Sequence, residues 1–177
     1  MKRSLTGWQL GGFIFTGTLG TILHFLYDWT GQSIIVAPFA AVNESIWEHM
    51  KLLFFPMFIF AIFEYFCLDK DYKNFWCVKL IGTLTGLLLI PTIYYTYTGA
   101  LGVTSDLFNV IIFFLAAGAA YFLETQLLKS KTSFCRSPAV PLIILFLIAF
   151  AFLVFTFFPP KIPLFQDPIT SLYGTQI

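Results

Sequence analysis

Charge is scarce in this chain: only 11% of its 177 residues are Asp, Glu, Lys or Arg, against about 25% in soluble domains. That scarcity excludes an ordinary soluble globular domain. Neither sign prevails, since ten Lys and Arg stand against nine Asp and Glu for a formal charge of +1. A sequence without a basic field has nothing to gather nucleic acid, and none is expected as a partner. What fills the chain instead is apolar, 58% by count, with 20% aromatic. A membrane-crossing helix takes about 20 apolar residues, so five of them leave no room for a separate soluble domain.

The apolar runs predict five spans at about 5–27, 52–68, 78–97, 106–128 and 138–158, in a single integral-membrane domain covering residues 1–177. The fold class is therefore all-α, a polytopic membrane helix bundle whose natural partner is the lipid bilayer. Residues 33–42 are apolar but too short to span, and Pro38 divides them. This stretch reads as a re-entrant or interfacial segment between helices one and two. The tail, residues 159–177, opens on Pro159, Pro160 and Pro163, which disfavour a helix; its position lets it lie across the outer mouth of the bundle. The first apolar run exceeds a signal-peptide core, so helix one is expected to stay in the mature chain.

Orientation follows from basic residues in the short loops. With the N-terminus cytoplasmic, the inner side carries Lys2, Arg3, Lys70, Lys73, Lys79, Lys129, Lys131 and Arg136, and the outer side only Lys51 and Lys161. The expectation is a cell-membrane protein with its N-terminus inside and its C-terminus outside. Cys67, Cys77 and Cys135 then all fall on the inner side, where thiols stay reduced, and no disulfide is expected. Trp8 and Trp76 fall at the inner interface and Trp29 and Trp47 at the outer one, as an aromatic belt requires. Small residues allow close backbone approach in lipid. Gly7, Gly11, Gly12, Gly17 and Gly20 in helix one, Gly82 and Gly86 in helix three and Ala116 to Ala120 in helix four predict that these three helices form the bundle core, with helix five outside.

Most chemistry-bearing residues collect toward the outer face: His24, Asp28, Asn43, Glu44, Glu48, His49, Asp106 and Asn109. His24 and Asp28 share a helical face four residues apart, as do Asp106 and Asn109 three apart. Glu44 and Glu48 repel at the same spacing unless a cation, Lys51 or a proton lies between them. One reading is a divalent metal held by His24, Asp28, Glu44 and Glu48. The other takes Ser45 and Glu48 as a capping box that only starts a helix. Toward the inner side, Glu64, Lys79 and Glu124 lie at one depth and are expected to form a structural ion pair.

Three stretches then stand out: His24-Phe25-Leu26-Tyr27-Asp28-Trp29-Thr30-Gly31, Asn43-Glu44-Ser45-Ile46-Trp47-Glu48-His49-Met50-Lys51, and Leu164-Phe165-Gln166-Asp167-Pro168. With them the chain resembles a family of small bacterial integral-membrane proteins of unknown function. The resemblance implies a membrane protein and brings no activity or site. Patterns of known intramembrane enzymes are missing: there is no Gly-x-Ser-x-Gly serine, no His-Glu-x-x-His, and two histidines do not make a three-histidine zinc site. Three functions stay open. The outer polar pocket binds a small ligand, lipid head group or cation; the chain is a metal-dependent intramembrane hydrolase or transferase using Glu44 or Glu48 with His24 and Asp28; or it is a structural subunit of a membrane complex, with a homo-oligomer as a further form of partnership.

Overall fold

A computed structural model describes residues 4–68, 72, 74–130, 134–135 and 137–175. They form α1 (Leu5–Trp29), α2 (Ile46–Cys67), α3 (Phe75–Leu101), α4 (Asp106–Lys129), α5 (Ala139–Phe157) and one 3-10 turn, Pro163–Phe165. Each of the five α-helices is long and apolar enough to cross a membrane. Among the described residues there is no strand, only an isolated bridge between Gln166 and Tyr173. Of the basic residues used for orientation, Lys2, Arg3, Lys70, Lys73, Lys131 and Arg136 lie outside the described residues.

The helix ends follow local chemistry. The Ser45 hydroxyl accepts the Glu48 backbone N–H and starts α2 at Ile46, six residues ahead of the apolar run, so Glu48, His49 and Lys51 ride inside the helix. At the other end of the next helix, Gly102 takes φ 68° and its N–H donates to the Thr98 carbonyl, closing α3 with the left-handed residue that glycine supplies cheaply.

The centre of the bundle differs from the expectation of a core made by α1, α3 and α4. It is α2, rich in bulky side chains, whose Leu53, Phe54, Phe55 and Met57 are all buried, and which packs against the other four helices and the 3-10 turn. Small residues of its neighbours open toward it at Gly12, Gly20 and Gly86, while Gly17 and Gly82 receive side chains of α4. A Cβ on Gly12 would meet the Phe60 ring at 2.7 Å, one on Gly86 would meet Leu53 Cδ2 at 2.6 Å, and one on Gly20 would meet the Leu52 carbonyl oxygen at 2.9 Å. Small-residue stripes thus mark where a large-residue helix is received, not which helices are central. Helix α5 turns Val140, Ile143, Phe146, Leu147 and Phe150 outward and buries only Pro141, Leu145, Phe152 and Thr156.

One further expectation is corrected. Cys77 and Cys135 are joined in a disulfide with their Cα atoms 5.9 Å apart, and Cys67 is the free, exposed thiol. The cause is local: the Asn74 carboxamide oxygen accepts the backbone N–H groups of Phe134 and Cys135 at 3.2 and 3.1 Å, laying that stretch against the start of α3. Trp76 is buried among Tyr65 and Phe75, and Trp47 packs on Phe152, Phe155 and Phe165. Both indoles take part in the packing of the bundle, Trp76 buried and Trp47 half-buried.

Between α1 and α2 the segment at 33–41 is a series of tight turns. The Val36 and Ala37 N–H groups donate to the Ser33 carbonyl, and the Phe39 and Ala40 N–H groups to that of Val36. Ala37 and Ala40 are fully buried, while Ile34 and Ile35 face outward.

Candidate functional site

The segment from Asn43 to Lys51 divides its side chains between holding the fold and facing a cavity. Asn43 does two structural tasks: its Oδ1 accepts the Ser45 N–H at 2.9 Å, and its Nδ2 donates to the Gly174 carbonyl at 3.1 Å, tying the tail to this segment. Glu48 is buried, takes the Val42 N–H at 3.1 Å and pairs with Lys51 at 2.5 Å. The Lys51 ammonium, fully buried, spends its other donors on the Ala37 carbonyl at 2.9 Å and the Thr156 hydroxyl at 3.0 Å. One lysine so joins the 33–41 turns, α2 and α5, and its three N–H groups are all used.

Glu44 and His49 are left over, and they turn the other way. Glu44 Oε2 lies 3.5 Å from His49 Nε2, and Glu44 Oε1 lies 3.8 Å from His24 Nε2 on α1. The three donor atoms lie within 4.8 Å of one another, and the two imidazole rings are 5.6 Å apart, centre to centre. The tautomer of His49 is fixed by its other nitrogen. Nδ1 sits 2.9 Å from the Ser45 carbonyl oxygen, which can only accept, so Nδ1 carries the hydrogen. In the neutral ring Nε2 is then a lone pair pointed at a carboxylate. Two acceptors facing each other call for a cation between them.

The distances decide which kind of contact this is. Hydrogen bonds from ring nitrogen to oxygen fall at about 2.7–3.2 Å, and neither pair reaches that range. Ligands about 2.0–2.1 Å from a tetrahedral zinc stand about 3.3 Å from each other. The Glu44–His49 and Glu44–His24 separations lie nearer to that spacing.

Beside the cluster is a cavity of about 450 Å³ between α1, α2 and α4. His24, Glu44, His49, Asp106 and Asn109 line it with polar groups, and Phe25, Leu52, Val110, Phe113 and Phe114 supply apolar walls; Ile169 of the tail also reaches it. Asn109 is held in place by the Tyr97 hydroxyl, which donates to its Oδ1 at 2.8 Å. Asp106 opens α4 and is exposed at the cavity. A second, unpartnered nitrogen, His24 Nδ1, is buried.

Of the residues singled out in the sequence, the structure brings His24, Glu44, His49, Asp106 and Asn109 to this one cavity. Asp28 is exposed and not part of its lining, and Glu48 faces Lys51. His49 takes the place in the three-donor group that the sequence pattern offered to Glu48. The signal was present, because successive residues on a helix point about 100° apart: once Glu48 serves the cap and Lys51, His49 alone can face α1. Tyr97 escaped notice as a partner of Asn109, and nothing in its spacing marks it.

At the other end of the bundle, Lys79 pairs with both Glu64 and Glu124 at 2.5 Å. Gln9 of α1 joins them, its Nε2 donating to Glu64 Oε1 at 2.6 Å. All four side chains are buried.

No curated protein and no solved structure shows a match to this chain. A model of one protein family matches residues 1–175, nearly the whole length, and on that match the chain, with its five apolar helices, belongs to DUF6512, a family of unknown function.

Proposed function

We propose that this protein binds a divalent transition-metal ion at the extracytoplasmic end of the bundle, through His24 Nε2, Glu44 and His49 Nε2, and presents it to a ligand in the adjoining cavity. The observation that supports this is the His49 tautomer: a backbone carbonyl holds Nδ1–H and leaves a lone pair facing a carboxylate, the outer-shell arrangement common around metal-bound histidine. Two imidazoles and one carboxylate suit zinc and its neighbours better than calcium or magnesium. Three protein ligands beside a cavity also leave a coordination position for a small molecule or a lipid head group. The hydrolase reading is weaker on this geometry, because Glu48 is committed to Lys51 and Glu44 would be a ligand.

The test is elemental analysis of detergent-purified protein loaded with zinc and then desalted. Wild type should retain one equivalent, and His24→Ala, His49→Ala and Glu44→Gln should each lose most of it, with Asp28→Asn unchanged. Metal-free wild type, or metal kept by all three variants, overturns the proposal.

The orientation supported by the basic residues puts the N-terminus in the cytoplasm and the cavity outside. A thiol reagent that cannot cross membranes should then miss Cys67, near the inner end of α2, in intact cells. Labelling before permeabilisation reverses the orientation, and it also moves the Cys77–Cys135 disulfide to the oxidising side, where such bonds persist.

A further inference from the structure

The four-residue cluster at the opposite end of the bundle does not balance its charge. Glu64 from α2, Lys79 from α3 and Glu124 from α4 bring two carboxyls and one ammonium to a place where Glu64 and Glu124 have no exposure at all. Around Lys79 the remaining neighbours are uncharged: the Phe75 and Tyr121 rings lie 5.4 and 5.7 Å from Nζ, and the Tyr121 hydroxyl is engaged with Thr16 of α1 at 2.8 Å. From α1 the cluster receives the uncharged Gln9 amide. Among the described residues there is no second cation. Two ionised carboxylates would leave an uncompensated negative charge in the interior, at a cost of several kcal/mol.

Among the described side chains the balance calls for something positive, and the packing bears on its size. A Cβ on Gly82 would collide with the Glu124 carboxyl, so the carboxyl already fills the socket that the glycine leaves. A metal ion needs a shell of several oxygens and room for it, while a proton needs only a lone pair. Glu124 Oε1 and Gln9 Oε1 lack any hydrogen-bond partner, and Glu64 Oε2 has the Lys79 ammonium beside it and no hydrogen bond.

Gln9 is suited to such a site. A carboxamide can answer either state of a carboxyl, offering its NH2 to a carboxylate or its carbonyl to a carboxylic acid by turning over. Its free Oε1 is an acceptor placed beside Glu64, ready for the protonated form.

We infer that Glu64, Lys79 and Glu124 form a proton-binding site, in which the two carboxyls share one proton at neutral pH and Gln9 adjusts to it. The site is independent of the metal cluster and stands whether or not that cluster binds an ion.

Infrared spectroscopy of the full chain in bilayers reads the proton directly, through the C=O stretch of a buried carboxylic acid and its shift in D2O. Wild type should show such a band near neutral pH with the intensity of one carboxyl per chain. Glu64→Gln and Glu124→Gln should each abolish it, because either change leaves one carboxylate paired with one ammonium and no need for a proton. Glu48→Gln should leave it unchanged. In Lys79→Met, if that variant folds, the band should double, since both carboxyls must then be neutral. A wild type without the band, or a band that survives in either glutamine variant of the pair, overturns the inference; both of those variants are nearly isosteric, so neither outcome depends on Lys79→Met folding.

Discussion

The two ends of the bundle handle acidic residues in opposite ways. At the Lys79 end Glu64 and Glu124 are wholly buried, each against Lys79, and the Cys77–Cys135 bond ties nearby chain together. At the cavity end the Glu44 side chain is 41% exposed, and among the described residues its ion-pair partners within 4 Å are two histidines that are cationic only when protonated. A buried group with its partner removed is strongly destabilising, whereas a half-exposed group keeps water as an alternative partner. Burial thus makes the Lys79 cluster the one expected to carry stability, and exposure leaves the Glu44 cluster free for the binding proposed above. The Glu48–Lys51 pair brackets His49 in sequence and yet is buried and paired like the Lys79 end.

The sharpest way to break this contrast is Lys79→Met. It strands two buried carboxyls and should cost about 3–5 kcal/mol, read as a large fall in the thermal midpoint in detergent; a variant that melts with wild type would erase the distinction. Next comes overpacking of a helix socket. Gly86→Val drives a methyl group into Leu53 and should cost about 1–3 kcal/mol, with melting as the readout. Ser45→Ala removes the hydroxyl that accepts the Glu48 N–H, and a loss of about 0.5–2 kcal/mol is expected. Since that cap precedes His49 by one turn, zinc retention should be measured on the same sample and should weaken with it. The smallest change in stability is expected for His24→Ala and Glu44→Gln, within about 0.5 kcal/mol of wild type, although both should lose zinc. If these two instead melt as early as Lys79→Met, the cluster at the cavity is holding the fold and the contrast fails from its other side.

How far the sequence carried these conclusions depends on the kind of signal. Length and hydropathy locate five helices because lipid forces every backbone group into internal hydrogen bonds, and a long apolar run has no other solution. The start of α2 is legible in Ser45 and Glu48, even though the apolar run begins later, since capping is local. Centrality is not local. Nothing in α2 itself says that Gly12, Gly20 and Gly86 on two other helices open toward it, so the small residues pointed to the wrong centre. The disulfide was hidden for a related reason: 58 residues separate its cysteines, and reasoning from compartment assigns a redox state without seeing which thiols meet. For the candidate site, the residues of the cavity were nearly all in view. What the sequence withheld was the division of labour at Glu48 and His49, which turns on Lys51 reaching Ala37 and Thr156.

The bond from Asn43 to Gly174 spans 131 positions of chain, and it sets the timetable of biosynthesis. Helices α1 to α5 all precede Gly174, so the segment that carries Glu44 lacks this tie until residues 169–174 have followed them. A nascent chain stalled in α5 would hold all five helices with the cavity still missing Ile169 from its wall.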